Sequence, residues 1–232
     1  MNIYQLKPTI VAKVNNEIVK IFSNNVSCEE EFERLHKVSK PLIERDNDNE
    51  YEMSVVKAMF CFRNILIMEH ANGIPLIKTE PLQDMVALVG NYLGRFHQNK
   101  YEVDGIYSPR IFGDFSIDHI YVNTDTRVIS TIDPGANFMV IENQLEDVAR
   151  FLFSVTETFR YHPFVTCKVL KAFINGYLIN KNVDLKGLKE VLDFRKERSV
   201  AKYKIQKSPF RARIGTIFLS YNRLIIWWAL KF

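Results

Sequence analysis

The apolar residues of this 232-residue chain keep mainly strand period up to residue 69 and mainly helical period from residue 82, and that shift constrains the fold more than any other feature. Residues 9–14 and 18–22 are β-branched runs on either side of Asn15-Asn16-Glu17, the signature of a hairpin. Ser27 has the character of a helix N-cap. Glu29, Glu30 and Glu31 follow it where the helix dipole favours acids, and Phe32, Leu35 and Val38 keep helical spacing until Pro41. Asp46-Asn47-Asp48-Asn49-Glu50 reads as a turn, residues 53–60 and 64–69 as two more strands, and Gly73 with Pro75 closes this block. From residue 82 to 97 the period is helical, carried by Met85, Leu88, Val89, Tyr92, Leu93 and Phe96. Two short strands are predicted at 120–122 and 128–132, then helices from Leu145 through Ala172 and Tyr177 to Leu192. Strands first and helices afterwards, with no internal repeat, make an α+β chain of two lobes. Residues 1–70 form a small sheet with one helix, and residues 71–232 a mainly helical lobe, hinged near 69–75.

Composition narrows the class. At 47% hydrophobic and 25% charged, with 9 Gly and 8 Pro, the chain can bury a core, which excludes collagen-like and disordered readings. Cys28, Cys61 and Cys167 are odd in number and far apart, so neither a disulfide framework nor a metal spacing is present, and a reducing cytoplasm is expected. Residues 1–7 lack a basic segment followed by an apolar run, so no secretory leader is expected. Charge divides unevenly along the chain. Residues 195–232 hold ten Lys or Arg against the acid Glu197, while the rest holds 21 bases against 26 acids. The tail ends in an apolar stretch, residues 214–232, that Arg223 and Lys231 make a poor membrane span. Its basic and aromatic character suits an anionic membrane surface, with a peripheral position at the inner face of the cytoplasmic membrane. The competing reading is a last helix packed on the second lobe; nucleic-acid binding is the weakest of the three, since a basic stretch is its whole support.

Four chemistry-bearing signals follow in order: Lys20 on a strand (Glu17-Ile18-Val19-Lys20-Ile21-Phe22); Glu31 on the next helix; Asp114 in Phe112-Gly113-Asp114-Phe115-Ser116-Ile117-Asp118-His119-Ile120; and Asp133 ending a strand in Ile132-Asp133-Pro134-Gly135. Phosphoryl transfer asks for this inventory. A lysine neutralises phosphate charge, an acid holds the lysine, one aspartate meets the attacking hydroxyl and another holds a divalent metal.

The chain here resembles the protein-kinase-like superfamily, and most of all its small-molecule branch, the aminoglycoside and choline-type phosphotransferases and the bacterial lipopolysaccharide sugar kinases. Asn64-Ile65-Leu66-Ile67-Met68-Glu69-His70-Ala71-Asn72-Gly73 matches the family's last N-lobe strand and adenine linker. Leu93-Gly94-Arg95-Phe96-His97 matches the helix ahead of the catalytic loop. Gly113-Asp114 with His119 matches the loop, Ile132-Asp133 the metal-binding aspartate, and Glu146-Asp147-Val148-Ala149-Arg150-Phe151 the acid-bearing helix beyond. The resemblance implies a two-lobed fold with a small antiparallel-sheet N-lobe for the nucleotide and a mainly helical C-lobe. It implies ATP and Mg2+ as cofactors, with Mn2+ the alternative ion. Asp114 would be the catalytic base, Asp133 and His119 metal ligands, Lys20 the phosphate contact and Glu31 its partner. Glu69, His70 and Ala71 would contact adenine through their backbone.

Each residue also has a plainer reading. Lys13 competes with Lys20, and Glu30 and Glu33 stand behind Glu31, where capping alone explains the acids. Asp114 after Gly113 and Asp133 before Pro134 are also turn signatures. His119 stands where the family usually has asparagine, and it reads equally as metal ligand or structural hydrogen-bond donor. The Asp-Phe-x-x-x-His pattern tilts the resemblance toward the sugar kinases. His97 and Asp147 read as scaffold. No glycine precedes Gly73, so the glycine-rich phosphate flap is missing. The expected function is an ATP- and Mg-dependent phosphotransferase acting on a hydroxyl of a sugar or glycolipid in bacterial envelope synthesis. The alternative is a non-catalytic kinase-like binding or scaffold module. A protein kinase is a weaker third reading, because residues 136–146 leave little room for an activation segment.

Overall fold

The computed structural model describes residues 2–5, 9–23, 25–38, 51–98, 100–103, 106–109, 111–133, 143–206 and 209–231. The turn expected at 46–50, Pro41 and the Pro134-Gly135 pair lie outside them. In chain order the elements are β1 (Asn2–Gln5), β2 (Ile10–Val14), β3 (Glu17–Ile21), α1 (Asn25–Val38), β4 (Glu52–Val55), β5 (Ala58–Phe62), β6 (Ile65–Glu69) and β7 (Ile74–Pro75). They continue with α2 (Leu82–Gln98), β8 (Lys100–Val103), β9 (Ile106–Pro109), β10 (Ile120–Asn123), β11 (Val128–Thr131), α3 (Leu145–Thr158), α4 (Pro163–Asn180), α5 (Leu185–Gln206) and α6 (Pro209–Leu230). They fall into two units. One comprises Met1–Thr79, Phe112–Asp114 and His119–Val140, the other Glu80–Ile111, Phe115–Asp118 and Ile141–Phe232.

The first unit holds a five-stranded antiparallel sheet in the order β1-β2-β3-β6-β5. The β2–β3 hairpin turns on Asn15-Asn16, as its sequence predicts, with Asn15 at φ 55, a left-handed value that asparagine tolerates. One face of the sheet buries Lys20, Leu66 and Met68, and α1 packs against β5 and β6 with Cys28 and Leu35 fully buried. On the opposite face Ile10, Ile21, Ile65 and Phe62 form one cross-strand row, each more than a third exposed.

Two expectations change here. The helix starts at Asn25, ahead of the expected cap Ser27, so Glu29 to Glu31 fall beyond its first turn. The run 53–60, expected as one strand, divides between two sheets. Val56 N bonds Thr131 O at 3.1 Å and so prolongs the β4 ladder, whereas Lys57 O accepts from Glu69 N at 2.9 Å and opens the β5 ladder. β4 thereby pairs in parallel with β11 in a four-stranded sheet, β4-β11-β10-β7. Gly73, at φ 123, lies so close to the Val122 carbonyl that a side chain there would overlap it.

The second unit is helical around α2 and α4. Gly90 of α2 meets the Phe173 carbonyl and Gly176 of α4 the Ala87 carbonyl, so each helix backbone sits in the other's groove. Phe151 and Phe173 stack at 3.9 Å in a core that also buries Leu93, Phe96 and Leu170. Two antiparallel strands, β8 and β9, lie at 100–103 and 106–109, where the sequence suggested only a loop. The tail is built into this unit. α6 packs on α3, α4 and α5 and buries Leu219, Asn222, Ile225, Ile226 and Ala229. Two tail bases make ion pairs, Arg195 with Glu146 at 2.8 Å and Arg223 with Asp193. Among the described residues no helix is long and apolar enough to cross a membrane.

Candidate active site

The strand β3 points Lys20 into the covered face of its sheet, between Val11 and Leu66 on the neighbouring strands. An ammonium there needs negative partners, because burial in apolar surroundings disfavours its charge. Two carboxylates supply them. Lys20 Nζ donates to Glu31 Oε1 at 2.6 Å and to Asp133 Oδ1, 113 positions away in sequence. Burial pulls the Lys20 pKa down, but Asp133 and Glu31 outweigh it and hold the amine above its ordinary 10.5. Burial likewise works against the Asp133 carboxylate, and Lys20, then His119, keep it below its ordinary 3.8. The ion-paired state is therefore the resting one at neutral pH. Asp133 still leaves 42% of its side chain accessible, so a further ligand can reach its carboxylate.

Two left-handed backbone positions carry the acids. Asp133 itself has φ 53, and Gly113, at φ 90, immediately precedes Asp114. Such conformations cost energy for most residues and persist where the surroundings impose them. His119 closes the loop begun by Asp114. Its Nδ1 lies 3.1 Å from the Asp114 carbonyl and 4.0 Å from Asp114 Oδ2. A carbonyl only accepts, so Nδ1 carries the hydrogen and Nε2 keeps its lone pair in the neutral ring. His119 O in turn accepts from Ile132 N at 2.9 Å, next to Asp133. Lys20, Glu31, Asp114, His119 and Asp133 all belong to the first unit.

Glu69 ends β6 and His70 and Ala71 follow it, in the same unit. Glu69 Oε2 accepts from Lys57 N at 3.1 Å, His70 N donates to Asn16 O at 3.2 Å, and Ala71 is buried. Burial lowers the His70 pKa below 6.5, and Lys13 adds to it. Lys13, the competing lysine, acts on His70, and of the two it is Lys20 that joins the carboxylate cluster.

In the second unit His97 and Asp147 are both buried, joined by Nε2 to Oδ2 at 3.1 Å, with Tyr177 OH 2.8 Å from Nδ1. Lys181 and Gln144 donate to the His97 carbonyl. The residues after Asp114 are anchored there too, Phe115 against the Phe151 ring at 5.8 Å and Ile117 N on Ser154 Oγ at 3.0 Å. Sequence reasoning passed over Tyr177, Gln144, Lys181 and Ser154. Tyr177 carries the signal of a helical core position, and the others carry none.

No protein-family model and no curated protein matches the sequence. Solved structures do. Amicoumacin kinase hAmiN, in complex with AMP-PNP, Ca2+ and Ami, superposes with a TM-score of 0.59 over 96% of this chain and 87% of its own, at 15% identity. An ethanolamine kinase from Plasmodium vivax superposes with a TM-score of 0.53 over 99% of this chain and 81% of its own, at 13% identity. The fold is that of the small-molecule kinases.

The donor set suits a hard divalent ion in part. Mg2+ typically takes one or two protein carboxylates and completes its shell with phosphate oxygens and water. Asp133 offers such a carboxylate, ionised and accessible. His119 Nε2 is a poorer ligand for Mg2+, which prefers oxygen. Among the described residues no group of three His, Cys, Asp or Glu can hold a metal unaided, so nucleotide oxygens would complete the shell.

Proposed function

We propose that this protein is an ATP- and Mg-dependent phosphotransferase whose acceptor is a hydroxyl of a sugar or glycolipid. The observation that carries the reading is the meeting of Lys20, Glu31 and Asp133 in one ion-paired cluster, in a kinase-like fold in which Asp114 and His119 belong to the same unit. Lys20 binds phosphate oxygens and is oriented by Glu31. Asp133 would hold a divalent ion, whose chemistry there would be to neutralise charge on the phosphates. Asp114 orients the acceptor hydroxyl and takes its proton as the oxygen bonds to the γ-phosphorus and the bridging oxygen leaves with ADP. His119, fixed through Nδ1–H on the Asp114 carbonyl, sets the loop and offers Nε2 to the ion. Backbone groups of Glu69, His70 and Ala71 hold the adenine. The sugar or glycolipid acceptor rests on the Asp-Phe-x-x-x-His pattern, and a cytoplasmic site beside the membrane suits a lipid-linked acceptor.

Transfer of labelled γ-phosphate from ATP to sugars, lipid-linked sugars and aminoglycosides tests this. Asp114→Ala should lower kcat by about 10²–10⁴-fold on the acceptor so found. A variant as fast as the parent removes the catalytic assignment. The second reading, a non-catalytic binding module, is favoured by one observation, the lack of any glycine before Gly73 to form a phosphate flap. Calorimetry of ATP with Mg2+ or Mn2+ separates the two, since a folded sample binding neither complex supports the module.

A further inference from the structure

The last helix has two apolar faces, and only one is buried. Leu219, Asn222, Ile226 and Ala229 form the side packed into the unit. On the other side Ile217, Tyr221, Leu224 and Trp228 recur at i, i+4, i+7 and i+11, and they expose 66%, 36%, 59% and 56% of their surface. At 100° per residue these four fall within an arc of about 60°, a stripe roughly 17 Å long. Phe164, 74% exposed at the start of α4, widens it, its ring edge-on to Trp228 at 6.4 Å. Arg213 lies one turn before Ile217, at the edge of the arc, and Lys231 follows the last residue of the helix; both are exposed. From Pro209 to the end the sequence contains no Asp or Glu.

We propose that this face of α6, with Phe164, docks on an anionic lipid bilayer, the helix lying in the plane of the surface. A soluble chain has no use for a continuous aromatic stripe left in water. Tyr, Trp and Phe side chains settle at the depth of lipid headgroups, and cations at both ends of the stripe meet anionic phosphates. A second copy of the chain is the poorer occupant. Two such helices placed face to face would bring Arg213 and Lys231 together with no acid on either helix to answer them. The proposal narrows the basic tail to a surface. Arg195 and Arg223 are spent in ion pairs within the unit, while Phe164, outside the tail, joins the stripe. It holds whether or not the chain transfers phosphate.

Vesicle flotation of the full chain, with phosphatidylcholine alone and with an equimolar mixture of phosphatidylcholine and phosphatidylglycerol, tests it. Trp227 and Trp228 are the only tryptophans of the chain and both lie on the exposed side of α6, so their emission reports contact directly. Binding and a blue shift are expected with the anionic vesicles only, and added salt should weaken both. Arg213→Gln with Lys231→Gln should lower partitioning about 20-fold, roughly fivefold for each cation. Ile217→Ser with Leu224→Ser, both at exposed positions, should remove the blue shift while far-UV circular dichroism stays parental. Absence of binding by the folded parent, equal binding to both vesicle types, or variants that bind as the parent does would overturn the proposal. So would light scattering that finds a dimer dissolved by Leu224→Ser, which assigns the stripe to a second copy.

Discussion

At the scale of single residues, Lys20 shows what a sequence leaves open. A strand lysine is ordinarily solvated, and only its alternation with apolar neighbours in Ile18-Val19-Lys20-Ile21-Phe22 hinted at an inward position. Glu31 stood among three consecutive acids, and nothing local separated it from Glu30. The choice between them is made by which side of α1 faces the sheet. Asp133 was legible as a loop aspartate, but its left-handed backbone and its bond to Lys20 follow from the path of the chain. Because Lys20 and Glu31 are about nine-tenths and six-sevenths buried, their pairing should register in stability. A double-mutant cycle of Lys20→Met and Glu31→Gln, measured by urea unfolding, is expected to give a coupling of about 1–2 kcal/mol. A coupling near zero would mean that Glu31 does not hold the lysine.

At the scale of elements, local propensity predicted β2, β3, β6, β10 and β11 and the core helices, because each carries a clean period and a turn or cap. It missed β8–β9 and the division of residues 53–60. β8–β9 is a local pair, whereas the division depends on backbone partners elsewhere in sequence, Arg127 and Thr131 for β4 and Glu69 for the residue ahead of β5. The α2–α4 contact has the same origin. Glycine is a poor helix former, so Gly90 and Gly176 look like weak points until the partner backbone is in view. Ala at an open helical position would stabilise by about 1 kcal/mol. At Gly176 the new Cβ would overlap the Ala87 carbonyl, and the sign reverses. Gly176→Ala is expected to destabilise by about 2 kcal/mol or more in chemical denaturation, with Gly90→Ala alike. A gain in stability for either would contradict the close packing of the two helices.

At the scale of the whole molecule, the buried and paired ionisable groups set the pH range of stability. Burial, ahead of the opposing effect of Asp147, holds the His97 imidazole below 6.5, and His70 is lowered for the same leading reason. The unfolded chain takes up these protons near 6.5 while the folded chain refuses them, so stability is full above 6.5 and falls as the pH drops through that value. Asp133 keeps its contribution above about 3.8 and loses it only below. Lys20, raised, contributes fully below 10.5 and loses its part as the pH climbs beyond. The urea midpoint should therefore be level between about pH 7 and 9, fall beyond it because burial holds the Cys28 and Cys167 thiols protonated in the folded chain alone, and decline below about 6.5, before any carboxylate titrates. His97→Gln should flatten the decline between about pH 6.5 and 5, at the cost of a lower plateau. A parental midpoint that stays level from pH 7 to 5 would rule out a neutral, buried His97.

The sequence by itself determined the order of strands and helices, the loops that carry Asp114 and Asp133, and the separation of an acidic body from a basic tail. These rest on local chemistry, on side-chain period, turn residues and charge, and local chemistry is written in neighbours. The tertiary structure alone decided which lysine meets which acid, that β4 leaves its own hairpin for β11, and that α2 and α4 touch backbone to backbone. It also decided that the tail ends in a helix packed on the second unit, burying one side of α6 and leaving the other side to water. Each of these depends on residues tens of positions apart, brought together by burial of apolar surface that acts on the whole chain and has no direction of its own.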